Sequence, residues 1–286
     1  MKTTIKQKWK AYRNDPRSLL LFLIVCLAAA LTMMALLFVI VYILIKGIPH
    51  LTPALFAWKY TSENVSLMPA LINTLFMTAL SLLIAVPMGI GAAVYLTEYA
   101  KRGNKLVILM GMTAETLSGI PSIIYGLFGA LFFVRYMGFG LSLLSGALTL
   151  SIMILPLIMR TTEEALRSVP DSYREGSFGL GAGKLRTVFR IVLPSAVPGI
   201  LSGVILGIGR IVGESAALIF TAGTVAEPVS GVFDSARTLS VHMYAISGEG
   251  LYIDQTYATA VVLLVVVILI NALSGGIAKR LGGNSK

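Results

Sequence analysis

Six apolar runs constrain this chain more than anything else in it. A bilayer's hydrocarbon core is about 30 Å thick and needs about 20 apolar residues of helix to cross. Helices cross because they satisfy their backbone hydrogen bonds internally, where lipid offers none. The runs fall at residues 19–45, 72–96, 106–134, 141–159, 196–220 and 257–278, the third interrupted at "SGIPSIIYGLFG". Glycine and proline recur inside them, at Pro87, Gly89 and Gly91 for example. They would break a soluble helix but are tolerated where neighbouring helices cover the freed backbone. The expected fold class is an all-α integral membrane protein with six transmembrane helices.

Composition agrees. The chain is 56% hydrophobic and 13% charged, against about 25% charged residues in soluble domains. The first run exceeds the roughly 15-residue limit of a signal peptide's apolar region and has no small-residue cleavage site at its end. It reads as a retained anchor behind a basic tail, residues 1–18. Cys26 lies within it as a core or lipid-facing residue and allows no internal disulfide. His50 and His242 stand far apart, lack a metal-site spacing and read as interfacial histidines.

A net charge of +10 raises the question of a nucleic-acid partner, and its placement answers it. With six spans, eighteen Lys and Arg lie on one side, four on the other, and Arg210 inside the fifth run. The basic side is cytoplasmic by the positive-inside rule, so both termini are expected inside, facing anionic membrane lipid. Nucleic acid then has no motive. Arg237, on the outer side, reads as an ordinary exposed loop arginine, with contact to an arriving anion or protein as the alternative.

The connection at residues 161–195 is long for a compact fold, and such loops are usually functional. Its stretch "REGSFGLGAGKLRTVFRIVLP" invites a phosphate-loop reading, which fails. Counting back from Gly183-Lys184, the first glycine of a Walker A loop falls on Phe178 and its hydroxyl on Leu185. Two short helices fit better: one opening near Pro170 and Asp171, closed by Gly179, Gly181 and Gly183, the next restarting at Lys184 and re-entering the membrane at Leu193-Pro194.

The register of this loop resembles the EAA loop of type I ABC importer permeases, written E-A-A, three residues, G, nine residues, I-x-L-P. Here it is Glu175-Gly176-Ser177, three residues, Gly181, nine residues, then Ile191-Val192-Leu193-Pro194. Glycine and serine in place of the two alanines lower helix propensity by up to about 1 kcal/mol each. The resemblance implies a MetI-like transmembrane domain over residues 70–280, in a bacterial or archaeal plasma membrane. It implies that Glu175, Gly181, Ile191, Leu193 and Pro194 belong to the docking motif for a separate ATPase. ATP and Mg²⁺ would be held by that ATPase; this chain itself would carry no cofactor and no catalytic residue.

The fifth run holds Arg210 and Glu214, four residues apart and expected on one helical face. Charges at such depth cost about 2.5–3.5 kcal/mol and face a bundle interior or a watery path. Two readings stand: a neutralising pair, or an arginine that contacts an anion in transit while Glu214 orients it. Arg before Glu is the less favourable helical order, which suggests a separate partner for each. In the third run, Ser118, Ser122 and Tyr125 either hydrogen-bond a passing substrate or cap backbone carbonyls near the proline break.

Beyond the loop, "PMGIGAAVYLTEYA", "LSGIPSIIYGLFG", "GRIVGESAALIFTAG" and "RTLSVHMYAISGEG" resemble the phosphate-specific branch, particularly PstA-type subunits. That resemblance implies phosphate as substrate, with molybdate or sulfate as the alternative oxyanions. It maps Arg210 and Glu214 onto the arginine and glutamate of the family's GR-x-x-GE motif, on the substrate pathway, where Ser122 and Tyr125 are the further candidates read from the residues themselves. The partners implied are a PstC-type permease, a PstB-type ATPase dimer and an extracytoplasmic phosphate-binding protein.

Overall fold

A computed structural model describes residues 16–101, 103 and 105–282. Most of the basic tail, Arg102 and Lys286 lie outside the described residues. Every regular element is helical: α1 (Pro16–Gly47), α2 (Met68–Val94), α3 (Lys105–Ser118), α4 (Ser122–Gly129), α5 (Leu143–Arg167) and α6 (Asp171–Gly179), then α7 (Lys184–Thr187), α8 (Leu193–Val212), α9 (Ala216–Thr221), α10 (Leu239–Gly248) and α11 (Ile253–Gly282). Three π-wound turns extend them, at Tyr95–Tyr99, Ala130–Tyr136 and Val188–Val192.

Among the described residues five helices are long and apolar enough to cross a membrane, and a bent pair makes a sixth if it counts as one span. The pair is Val107–Ser118 with Ser122–Tyr136, meeting at 101°. Pro121 lies in the gap with ψ 139° and cannot extend α3, so the interruption expected in the third run is a sharp corner. The fourth run continues as helix past Met159 to Arg167.

The fifth differs most from expectation. Helix runs from Lys184 to Val212, then stops, and α9 restarts at Ala216. Arg210 and Glu214 therefore do not share a helical face. The Glu214 side chain instead accepts a hydrogen bond from the Ala217 backbone N–H at 3.0 Å, and the Ser240 hydroxyl donates to the Glu214 carbonyl. These bonds take up backbone groups that the break releases.

Helix α5 is the central post, with two-thirds of its membrane window buried, whereas the window of α1 has none. Small and hydroxylated residues on α5 let α2, α4 and α8 approach closely. A Cβ on Gly129 would collide with Thr149 of α5 and Thr221 of α9, and one on Gly203 of α8 with Thr161. The Ser151 hydroxyl bonds the Ser81 carbonyl of α2 at 3.0 Å. Around these contacts Met77, Leu150, Met153, Ile154, Ile158 and Leu218 form the main core.

Helix α1 rests on α11 near its own C-terminus, where Tyr42 meets Tyr257 edge-on and Gly47 touches the Tyr257 backbone. Cys26 is exposed on it, as a lipid-facing residue would be. His50 is half-exposed, donates from Nδ1 to the Lys46 carbonyl at 2.9 Å, and its Nε2 lies 3.5 Å from Asp254.

Candidate substrate path and coupling surface

Two broken helices meet in this fold. Gly126 of α4 packs directly on the backbone of Ala216 and Ala217 in α9, so the corner in span three seats against the break in span five. Irregular backbone at membrane depth is tolerated only where it is buried in protein or lines a cavity, and discontinuous helices mark binding sites in transporters.

Arg210 stands in the last turn of α8, at this junction, half-buried. A cation is favoured at the negative end of a helix dipole. Its guanidinium makes no ion pair or hydrogen bond among the described residues, and its charge acts on the nearby Tyr125. Glu214 is occupied in capping α9, so the neutralising pair is not formed.

Tyr125 is buried, and its hydroxyl donates to the Leu117 carbonyl at 2.7 Å, closing the end of α3. The Ser118 hydroxyl donates to the Glu115 carbonyl at 2.9 Å. Both serve the broken backbone, which is the second of the two readings of these hydroxyls. Ser122 opens α4, half-buried.

On the opposite side from the coupling loop, Arg237 is only 5% exposed, which corrects its reading as an open loop residue. It lies over the Tyr60 ring at 5.6 Å, and its Nε has no hydrogen-bond partner. His242 is fully buried, not interfacial, and meets the same ring edge-on at 6.1 Å. Burial and the Arg237 charge push its pKa down to about 3, with the Val65 backbone partly opposing, so the ring is neutral.

The lone amide in span two holds this region together. Asn73, fully buried, donates to the carbonyls of Glu227 at 2.8 Å and Arg237 at 3.3 Å. Its Oδ1 accepts from the Val229 N–H at 3.0 Å. In the sequence the signal for Asn73 is an amide inside an apolar run, since such a group must find partners.

At the end of the bundle where α5 leads toward α8, α6 and α7 form the two short helices expected in the connection at residues 161–195. Helix α6 ends in a Schellman motif: Ala182 N–H bonds the Ser177 carbonyl and Gly181 N–H that of Phe178. Gly181 has φ +79°, the left-handed conformation that a glycine there supplies at least cost. Ser177, one of the two replacements for alanine, is buried and bonds the Thr187 hydroxyl at 2.8 Å, tying α6 to α7. Gly176, the other, faces open space.

Glu175 is exposed on α6. Ile191 and Leu193 are half-buried, and Leu193 packs against the cluster of Val188, Val192 and Ala196, so this end anchors the loop to the bundle. Pro194 is exposed. What projects is Leu180, 91% exposed, with Tyr173, Phe178, Leu185 and Phe189 also uncovered. Lys184, Arg186 and Arg190, close by in the chain, are exposed as well.

A cleft of about 330 Å³ opens between α3 and α5, lined by Glu115, Ser118, Arg160, Glu163, Glu164 and Arg167. Arg160 lies 3.3 Å from Glu164 and 3.7 Å from Glu115 across it. No group of three or more metal-ligating side chains occurs among the described residues.

Residues 85–283 match the family model described as binding-protein-dependent transport system inner membrane component. A probable ABC transporter permease protein of Bacillus subtilis, YqgI, is 36% identical over 228 residues, covering 74% of this chain and 77% of that protein. The phosphate transport system permease protein PstA 1 of Mycobacterium tuberculosis is 36% identical over 205 residues, covering 71% and 67%. The corresponding PstC protein of Mesorhizobium japonicum is 30% identical over 246 residues, covering 76% and 75%. Among solved structures, a bacterial alginate ABC transporter in complex with an alginate-bound periplasmic protein gives a TM-score of 0.67 at 17% identity, over 95% of this chain and 98% of that one. The MetNI methionine ABC transporter, inward facing, gives 0.58 at 23% identity, over 74% and 93%. At those identities the structural likeness speaks for the fold alone.

Proposed function

Because the chain belongs to the family of binding-protein-dependent transport system inner membrane components, an ABC importer permease fold, we propose that it carries inorganic phosphate across the plasma membrane toward the cytoplasm. Its working unit on this reading is a heterodimer with a second, PstC-type permease. A PstB-type ATPase dimer holds ATP and Mg²⁺, and an extracytoplasmic protein delivers phosphate. Both termini and the α6–α7 loop face the cytoplasm, following the excess of Lys and Arg there. The similar proteins named for phosphate transport support the choice of substrate.

One observation carries the reading: Arg210, with no ion pair or hydrogen bond among the described residues, at the junction of two broken spans. An intramembrane guanidinium costs about 2.5–3.5 kcal/mol unless a partner or water meets it. Its planar fork matches two oxygens of a phosphate. A permanent carboxylate partner would compete with a travelling anion, and Glu214 is held away by its bond to the Ala217 amide. Tyr125 shapes the site through its bond to the Leu117 carbonyl. Closure of the ATPases then moves the α6–α7 loop, the helices packed on α5 rock, and the site opens to one side at a time.

The test is Arg210→Ala, with Arg210→Lys as a control that keeps charge without the fork. Both should assemble with the ATPase. In reconstituted vesicles the alanine variant should lose ATP-dependent phosphate uptake, and the lysine variant should keep only part of it. Uptake by Arg210→Ala at the wild-type rate would refute the anion role.

A further inference from the structure

The coupling loop is joined to span two at a largely enclosed ion pair. Glu98 lies in the π-wound turn Tyr95–Tyr99 that ends α2, with its side chain 8% exposed; Arg174, on α6, is 16% exposed. Arg174 Nη2 donates to Glu98 Oε1 at 2.7 Å, and Nε lies 3.2 and 3.4 Å from the two carboxylate oxygens. The same guanidinium donates to the Leu166 carbonyl at 3.0 Å and to the Val169 carbonyl at 2.8 Å, capping the end of α5, and to Asp171 at 3.1 Å. The Glu98 hydrogen bond is the main influence holding the Arg174 pKa above its ordinary value. A second tie runs from the same turn to α7, where Lys184 Nζ sits 5.2 Å from the Tyr99 ring centroid.

This division of bonds is informative. The carbonyl bonds fasten Arg174 to α5, which leads into α6 through only three residues. They would hold α6 in place whether or not Glu98 were there. Glu98 adds the one connection from Arg174 to α2, which reaches the core beside the broken spans through Met77 and Ala85. A buried pair stabilises little over an apolar substitute, because desolvation offsets the attraction, but it fixes geometry. The π turn belongs to a class of helix irregularities frequent at functional sites.

We infer that Glu98 is a positioning residue of the transport cycle: through Arg174 it makes the coupling helix and span two move together, so that ATPase motion reaches the substrate path. This rests on the reading above that α6 docks an ATPase. Without the tie, α6 follows the ATPase while α2 does not, and hydrolysis runs without transport.

The experiment uses Glu98→Gln, which removes the charge but keeps an oxygen for Arg174, in the full complex reconstituted in vesicles. Phosphate uptake and ATP hydrolysis are measured together. In parallel, spin labels on Ser172→Cys and Leu83→Cys, both exposed and in a Cys26→Ala background, report the distance between α6 and α2 with and without ATP. The expected result is an ATPase that still copurifies in wild-type proportion and hydrolyses ATP, with uptake per ATP reduced about tenfold or more. The label distance should respond to ATP differently from the parent pair. Unchanged uptake per ATP with an unchanged distance response would overturn the inference, as would loss of the ATPase from the purified complex, which would make the pair a docking element only. If the unmodified complex moves no phosphate, the substrate reading fails by itself, and the distance measurement still decides the role of Glu98.

Discussion

Replacing Asn73 with leucine tests how the segment at residues 224–237 is held. Leucine has similar volume but no polar atoms, so the variant keeps the packing of α2 and deletes three hydrogen bonds, to Glu227, Arg237 and Val229. At about 1 kcal/mol each, the direct loss is about 3 kcal/mol. Glu227 is exposed and Val229 half-buried, so water can replace part of it, whereas the carbonyl of the buried Arg237 has less access. A net local destabilisation of about 2 kcal/mol follows, close to a thirtyfold shift in the opening equilibrium at 1.4 kcal/mol per tenfold. Hydrogen exchange read by mass spectrometry on peptides covering residues 224–237 should accelerate by about that factor, with α5 peptides unchanged. Exchange within about twofold of wild type would refute the claim that one buried amide secures this segment.

His242 makes stability depend on pH. Its folded pKa of about 3 lies below the unfolded value of 6.5, so its contribution is full above pH 6.5 and lost as pH falls toward 3, because the unfolded chain takes up a proton that the folded one refuses. By pH 5 the loss is about 2 kcal/mol; thermal melts of the purified protein at pH 7.5 and 5 should show it, and His242→Phe should reduce the difference. Leu180→Asp should leave melting nearly unchanged, since the side chain is 91% exposed, yet weaken ATPase copurification by about 2 kcal/mol as an anchor residue would; full retention would move the docking surface elsewhere.

The spans were legible because lipid imposes one rule on every residue in a run, and composition records it. The break in span five was not, because the apolar residues on both sides of Gly213-Glu214-Ser215 let "GRIVGESAALIF" pass as one continuous run with helical spacing. It is stabilised by the Glu214 carboxylate capping α9 and by the Ser240 hydroxyl, the second from a helix that follows in the chain. Spacing put Arg210 and Glu214 on one face, while that capping bond gave Glu214 a different partner. The unfavourable order suggested a separate partner for each; Glu214 has one in the Ala217 amide, while Arg210 has none among the described residues. The burial of Arg237 was equally hidden, since it depends on Tyr60 arriving from a loop far earlier in the chain. In the coupling loop, the register located Gly181, where φ is +79°. It did not show that Ser177 points inward to Thr187 while Leu180 points out, which is set by how α6 is rotated against α7. Glu98 carried no local signal, because its partner lies 76 residues away.

The most direct test of the account is ATP-dependent uptake of radiolabelled phosphate by vesicles holding the complete complex, in the presence of excess unlabelled phosphate, sulfate or molybdate. The account predicts uptake that unlabelled phosphate abolishes and the other two leave largely intact. Uptake suppressed equally by sulfate or molybdate, or absent while one of those anions is carried, would contradict it.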